Sequence, residues 1–251
     1  MGLKLSRSKP RHWLLSLIYR VHKLPMLSER TKLKLDLDLA WIFSRLAHET
    51  SQRVFPPSQH PLRTQATNFL ERHLRSDHTV LDLGCKYGVI TAAIAPRVKQ
   101  VVAIDHDAAA IAIAGRENAR PNVEYVHADA LAYLSTSQQS FDVLLLSHIL
   151  EHLDQPAAFL RSFAPFFRQV YIELPDFEAD FFGHYRSALG STLNYTDADH
   201  VSEFDREELA EIVASSGLEV VDSEFRFGLQ RLWCVFTPSG AGSATSDGRH
   251  P

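Results

Sequence analysis

VLDLGCKYGVITAAIA, residues 80–95, decides the fold, and VVAIDHD at 101–107 completes the reading. An apolar, β-rich run stops at Gly84, and a small-residue helix begins at once. A second apolar run then ends in a carboxylate, Asp105, 21 residues after Gly84. Strand–turn–helix units of this kind bind a nucleoside at the carboxyl edge of a parallel sheet. Gly84 and Gly88 permit backbone angles and a close approach that a Cβ would block. The N–H groups opening the next helix face the ligand. Asp105 stands beside that turn, placed to accept both hydroxyls of a ribose. Asp129, in HADAL at 127–131, ends a third strand and suits an exocyclic amine of adenine.

Two commoner phosphate-binding patterns are excluded. A dinucleotide loop starting at Gly84 needs glycine at positions that hold Lys86 and Val89. No Gly-Lys-Ser/Thr follows, so the turn is not a P-loop. What fits is D-x-G-x-x-x-G, from Asp82 to Gly88.

Outward from this turn the chain alternates strand-like and helix-like segments. Helices are expected at 61–75, 89–98, 108–120, 156–167 and 204–219, and strands around 79–84, 101–106, 123–129, 141–148 and 169–175. Two more strand-like runs, 219–227 and 231–238, suggest a closing antiparallel pair. The order predicts a mostly parallel sheet covered on both faces. Three zones follow: a basic, leucine-rich helical extension at 1–57, the α/β domain at 58–237, and a small, polar tail at 238–251 expected to be disordered. Within the extension, Leu39, Ile42, Phe43 and Leu46 recur at helical spacing before Pro56-Pro57 breaks the chain.

At 251 residues, 45% hydrophobic and 22% charged, the chain can bury a sizeable core. Its net charge of −4 is uneven, because residues 1–35 carry nine basic side chains against one acid. Cys85 and Cys234 form no disulfide framework, so a cytoplasmic setting is expected. No apolar run approaches the roughly 18 residues that span a bilayer.

Residues 80–157 resemble the Rossmann-like (class I) S-adenosylmethionine-dependent methyltransferases. VLDLGCKYG is similar to their first motif, usually VLDLGCGTG; IDHD resembles the acidic end of the second strand, and HADAL the third motif. FDVLLLSHILEHLDQP resembles the fourth-strand signature of the small-molecule and glycan-modifying branch, and HVSEFDREELAEIVASSGLEVV its late segment. The resemblance implies a seven-stranded three-layer sandwich and S-adenosylmethionine as cofactor. It implies Asp82 near the methionine amino group and Gly84, Cys85 and Gly88 as a backbone cradle. Asp105 would hold the ribose, with His106 beside the adenine and Asp129 and Ala130 at its edge. Ser147 and His148 would line the methyl side. Lys86 departs from the family, replacing its middle glycine with a side chain that crowds the cofactor, meets its carboxylate or turns to solvent.

Methyl transfer to a hydroxyl is helped by a base at about 3 Å. His148 is the first choice and His152 the second, with Glu151, Glu173, Asp176, His184 and His200 nearby in the sequence. The expected acceptor is a small molecule, a glycan or a lipid-linked intermediate, overhung by aromatic residues of 176–204 (Phe177, Phe181, Phe182, Tyr185, Tyr195). These suit a lid or the packing of an inserted helix. A runner-up reading is a metal-assisted RNA 2′-O-methyltransferase. In it His148, Glu151, His152 and His200 converge on a divalent ion, in resemblance to the E-x-x-E-H cluster of small-RNA 3′-end enzymes. The favoured reading assigns no metal and no nucleic acid. A third is a scaffold without cofactor. The basic N-terminus admits three readings: a solvated extension, a peripheral contact with an anionic membrane, or a grip on nucleic acid.

Overall fold

The computed structural model describes residues 13–137, 139–191, 193 and 200–237. The polar tail at 238–251, the basic residues before Trp13 and the aromatic Tyr195 lie outside the described residues.

Seven strands form one sheet in the order β3-β2-β1-β4-β5-β7-β6. They are β1 (Thr79–Leu83), β2 (Gln100–Asp105), β3 (Val123–His127), β4 (Val143–Ser147), β5 (Gln169–Pro175), β6 (Leu218–Arg226) and β7 (Leu229–Phe236). β1 to β5 run parallel, and β7 inserts antiparallel between β5 and β6. The central strands are buried along nearly their whole length, because helices cover both faces. The edge strands β3 and β6 are mostly half-exposed or exposed.

Period-two alternation sends side chains to two cores. On one face Leu81, Val102, Leu144, Leu146 and Ile172 pack with Leu134, Leu160, Phe163 and Val213. These belong to α6 (Ala130–Thr136), α7 (Pro156–Phe163) and α9 (Arg206–Ser215). On the other, Val80, Val101, Val143, Leu145 and Tyr171 meet Phe69, Leu70 and Ile94. Those come from α3 (Pro61–Glu71) and α4 (Val89–Ile94), and α5 (Ala108–Glu117) buries Ala110 and Ala114 beside β2 and β3.

The structure departs from the sequence reading at several helices, and α4, α7 and α9 each end four residues before the expected limit. α3 stops at Glu71 rather than at 75. α6 has no counterpart in the sequence reading, and Asp129 caps it. The extension is a hairpin of α1 (Trp13–His22) and α2 (Glu29–Val54), closed by His22 Nε2 against Asp36 Oδ2 at 2.8 Å. α2 therefore runs well beyond the periodic stretch at 35–49. The aromatic segment forms α8 (Phe182–Leu189), on which α2 is seated: Arg186 Nη2 donates to the Leu37 carbonyl at 3.2 Å, and Ser191 Oγ meets Asp38 Oδ1 at 3.2 Å.

Candidate active site

Strand order reverses between β1 and β4, and ligands of open α/β sheets bind in the crevice at such a point. The turn after β1 is drawn toward β2, since the Gly84 and Cys85 N–H groups both donate to the Ile104 carbonyl. Its backbone is left-handed at three alternate positions: Gly84 (φ +74°), Lys86 (φ +48°) and Gly88 (φ +70°). A Cβ on Gly84 would lie 2.5 Å from Ile149 Cδ1, and one on Gly88 2.4 Å from the Tyr125 hydroxyl. Gly88 is therefore constrained by space as well as by angle, while at Gly84 the left-handed angle makes the demand, since the end of the Ile149 side chain can shift.

Lys86 keeps the left-handed shape where the resembling family has glycine. Such an angle costs a non-glycine residue about 1 kcal/mol, and the Lys86 N–H is held in place by Asp105 Oδ2 at 2.8 Å. The side chain is exposed and its Nζ lies 5.7 Å from the Tyr87 ring centre, so the lysine turns outward along the tyrosine.

Asp105 closes β2, with only 9% of its side chain exposed. Its Oδ1 accepts from the Asp107 N–H at 2.9 Å, and Oδ2 accepts from Lys86. Each carboxylate oxygen keeps a further lone pair. His106 beside it is almost wholly exposed. Asp82 is buried against α4, where it accepts from the Thr91 hydroxyl. Burial pushes its carboxyl up to about 6, with the Asp105 charge adding to the shift and the Thr91 bond opposing it. Burial also raises the Cys85 thiol. Asp129 caps α6 through Ala132 N–H at 2.8 Å, and Ala130 is buried in the core beneath it.

Across the crevice, β4 ends at Ser147, whose hydroxyl donates to Glu173 Oε1 at 2.9 Å. Glu173 also binds Arg231, its cross-strand partner on β7, and the arginine is wholly buried. His148 follows in a left-handed conformation (φ +57°), its N–H donating to the Glu173 carbonyl. Its Nδ1 lies 2.9 Å from Oε1 of the fully buried Glu151, while 43% of the ring side chain stays exposed. Desolvation opposes its charged form, but the Glu151 bond and the charges of Glu173 and Glu151 outweigh it, so His148 titrates above an ordinary histidine. The carboxylate fixes Nδ1 as the protonated nitrogen, an assignment drawn from this bond, and leaves Nε2 as the basic one.

The remaining candidates separate. Asp176 is paired with Arg206 at 2.7 Å. His184 is exposed and packs against Phe177. Phe181, just before α8, packs on Tyr185 within it, and both are exposed. His152 lies edge-on to His200, ring centres 4.9 Å apart, and both rings stand near Glu151. Sequence reasoning missed Arg231 as the partner of Glu173; the available signal was a charged residue inside the apolar run RLWCVF.

A reversal point edged by a left-handed glycine turn, a strand-end acid and a carboxylate-held histidine defines the Rossmann-like methyltransferase class. The profile of the methyltransferase domain family matches residues 57–223, and the chain belongs to that family. It is 30% identical over 127 residues to the ubiquinone biosynthesis O-methyltransferase of Stutzerimonas stutzeri, covering 49% of this chain and 54% of that protein. The same-named protein of Azotobacter vinelandii is 32% identical over 125 residues, 48% and 53% of the two chains. The chain thus spans about half the length of these curated relatives. Among solved structures, the DhpI complex with S-adenosylhomocysteine superposes with a TM-score of 0.56 at 21% identity, over 80% of this chain and 97% of that one. This likeness supports the fold.

Proposed function

We propose that this methyltransferase carries a methyl group from S-adenosylmethionine to a hydroxyl of a small-molecule acceptor, a class that includes glycan and lipid-linked molecules. The residues fit the cofactor: a cradle without Cβ atoms at Gly84 and Gly88, and spare lone pairs on Asp105 at the neighbouring strand end. S-adenosylmethionine supplies a methyl group on a sulfonium that leaves readily. Asp105 would take the ribose hydroxyls and Asp82 the methionine ammonium. The Cys85 backbone completes the cradle, with Ser147 on the methyl side. His106 and the Asp129–Ala130 corner flank the adenine. The name shared by the two curated relatives favours oxygen as the acceptor atom.

One observation carries the chemistry: His148 Nδ1 is tied to a buried carboxylate 2.9 Å away, and the rest of the ring stays accessible. Nε2 is then a base aimed by Glu151, able to take the acceptor's proton as the methyl group arrives. The test is His148→Asn, because asparagine tolerates the left-handed backbone. Turnover should fall about 100-fold or more, with S-adenosylhomocysteine affinity unchanged. Unaltered turnover would remove His148 as the base.

The helical hairpin favours a peripheral contact with an anionic lipid surface. α1 buries none of its residues, and Trp13, Ile18 and Tyr19 stand beside Arg20 and Lys23, each ring or chain more than half exposed in the apolar set. Large apolar side chains next to cations suit a membrane interface. No helix among the described residues is long and apolar enough to cross a membrane. Co-sedimentation with phosphatidylserine-containing vesicles, lost in Trp13→Ser/Ile18→Ser, is the expected result; sedimentation independent of both residues would refute it.

A further inference from the structure

The loop after β4 carries more ligating groups than a single base requires. One donor atom each from Glu151, His152 and His200 lies within 4.8 Å of the other two. Glu151 is fully buried; its Oε1 meets His148, while Oε2 is buried without a hydrogen-bond partner. A buried carboxylate oxygen in that state calls for a cation. The cluster is built by backbone as well as side chains. The Glu151 carbonyl accepts from the Val201 and Ser202 N–H groups at 2.8 and 3.1 Å, which brings His200 to it from a distant part of the chain. His200 Nδ1 lies 2.9 Å from Glu203 Oε1, with both side chains 5% exposed. A carboxylate behind an imidazole fixes its orientation and raises its strength as a ligand.

We propose that Glu151, His152 and His200 hold one divalent first-row transition ion. Two imidazoles and one carboxylate suit zinc, cobalt, manganese or iron better than magnesium or calcium. Three protein ligands leave positions open, and an acceptor oxygen coordinated there would lose its proton more readily. Glu151 would then serve two neighbours, Oε1 orienting His148 and Oε2 binding the ion. His148 itself is not one of the three ligands, so the proposed site is smaller than the four-residue cluster of the runner-up reading. The ion site uses no residue of the proposed nucleoside cradle.

The test is titration of the chelator-treated full chain with Co²⁺, whose visible absorption reports coordination by nitrogen and oxygen. A saturable band at about one ion per chain is expected. Glu151→Gln and His152→Asn should each weaken it roughly 10-fold or more, with His22→Asn, outside the cluster, leaving it unchanged. Circular dichroism establishes that each variant is folded, and Co²⁺ should raise the melting temperature of the wild type and of His22→Asn but not of Glu151→Gln or His152→Asn. No band in the wild type, or equal affinity in the folded variants, overturns the proposal. S-adenosylhomocysteine binding measured on the same samples separates this result from the cofactor reading, since metal can fail while that binding persists.

Discussion

Asp82→Asn isolates the electrostatic strain beneath the glycine turn. Burial raises the Asp82 carboxyl from 3.8 to about 6 in the folded chain. Its folded value lies above its unfolded one, so the native state binds the extra proton. Stability from this group is fully present below pH 4 and falls as pH rises to 6. At 1.36 kcal/mol per unit, the ionised side chain costs about 3 kcal/mol at neutral pH, of which about 2 kcal/mol accrues between pH 4.5 and 7.5. Asparagine keeps an oxygen for Thr91 and cannot ionise. In urea unfolding across that range, the stability difference between variant and wild type should move about 2 kcal/mol in favour of the variant. A difference that does not vary with pH would refute the reasoning. If Asp82 also meets the cofactor's ammonium, S-adenosylhomocysteine binding near pH 5.5 should release a proton, seen as buffer-dependent heat, and Asp82→Asn should abolish it.

Three further outcomes follow from the same geometry. Gly88→Ala forces a Cβ to within 2.4 Å of the Tyr125 hydroxyl at a left-handed angle, and should lower stability by about 2–4 kcal/mol; recovery by Tyr125→Leu would be read in urea midpoints. Lys86→Gly keeps the backbone shape and removes a left-handed side chain, so calorimetry should find cofactor-product affinity within about twofold of wild type and stability within about 1 kcal/mol. Arg231→Met strands the buried Glu173 and should cost about 3–5 kcal/mol in denaturant unfolding, much of it regained by adding Glu173→Gln.

The central strands were legible because parallel strands covered on both faces read as unbroken apolar runs, and VLDLG and VVAID are such runs. The turn was legible because only glycine serves at 84 and 88. Asp105 was legible as a strand-end acid, but its bond to the Lys86 N–H was not: that donor arrives from the neighbouring turn and carries no side-chain signature. Asp129 shows the reverse difficulty, since a cap and a ligand use the same carboxylate at the same strand end, and α6 was missed with it. His148 and Glu151 lie three residues apart and could be paired by eye. Arg231 and Glu173 could not, because the β5–β7 register alone brings them together. The full length of α2 was hidden for a similar reason, as its buried Leu37 docks on α8, far away in sequence.

Calorimetric titration of the full chain with S-adenosylhomocysteine tests the nucleoside site most directly. Micromolar binding in the wild type, weakened at least 10-fold in Asp105→Ala while circular dichroism shows the variant folded, is the predicted result. Absence of binding heat in the wild type, or equal affinity in both proteins, would contradict it.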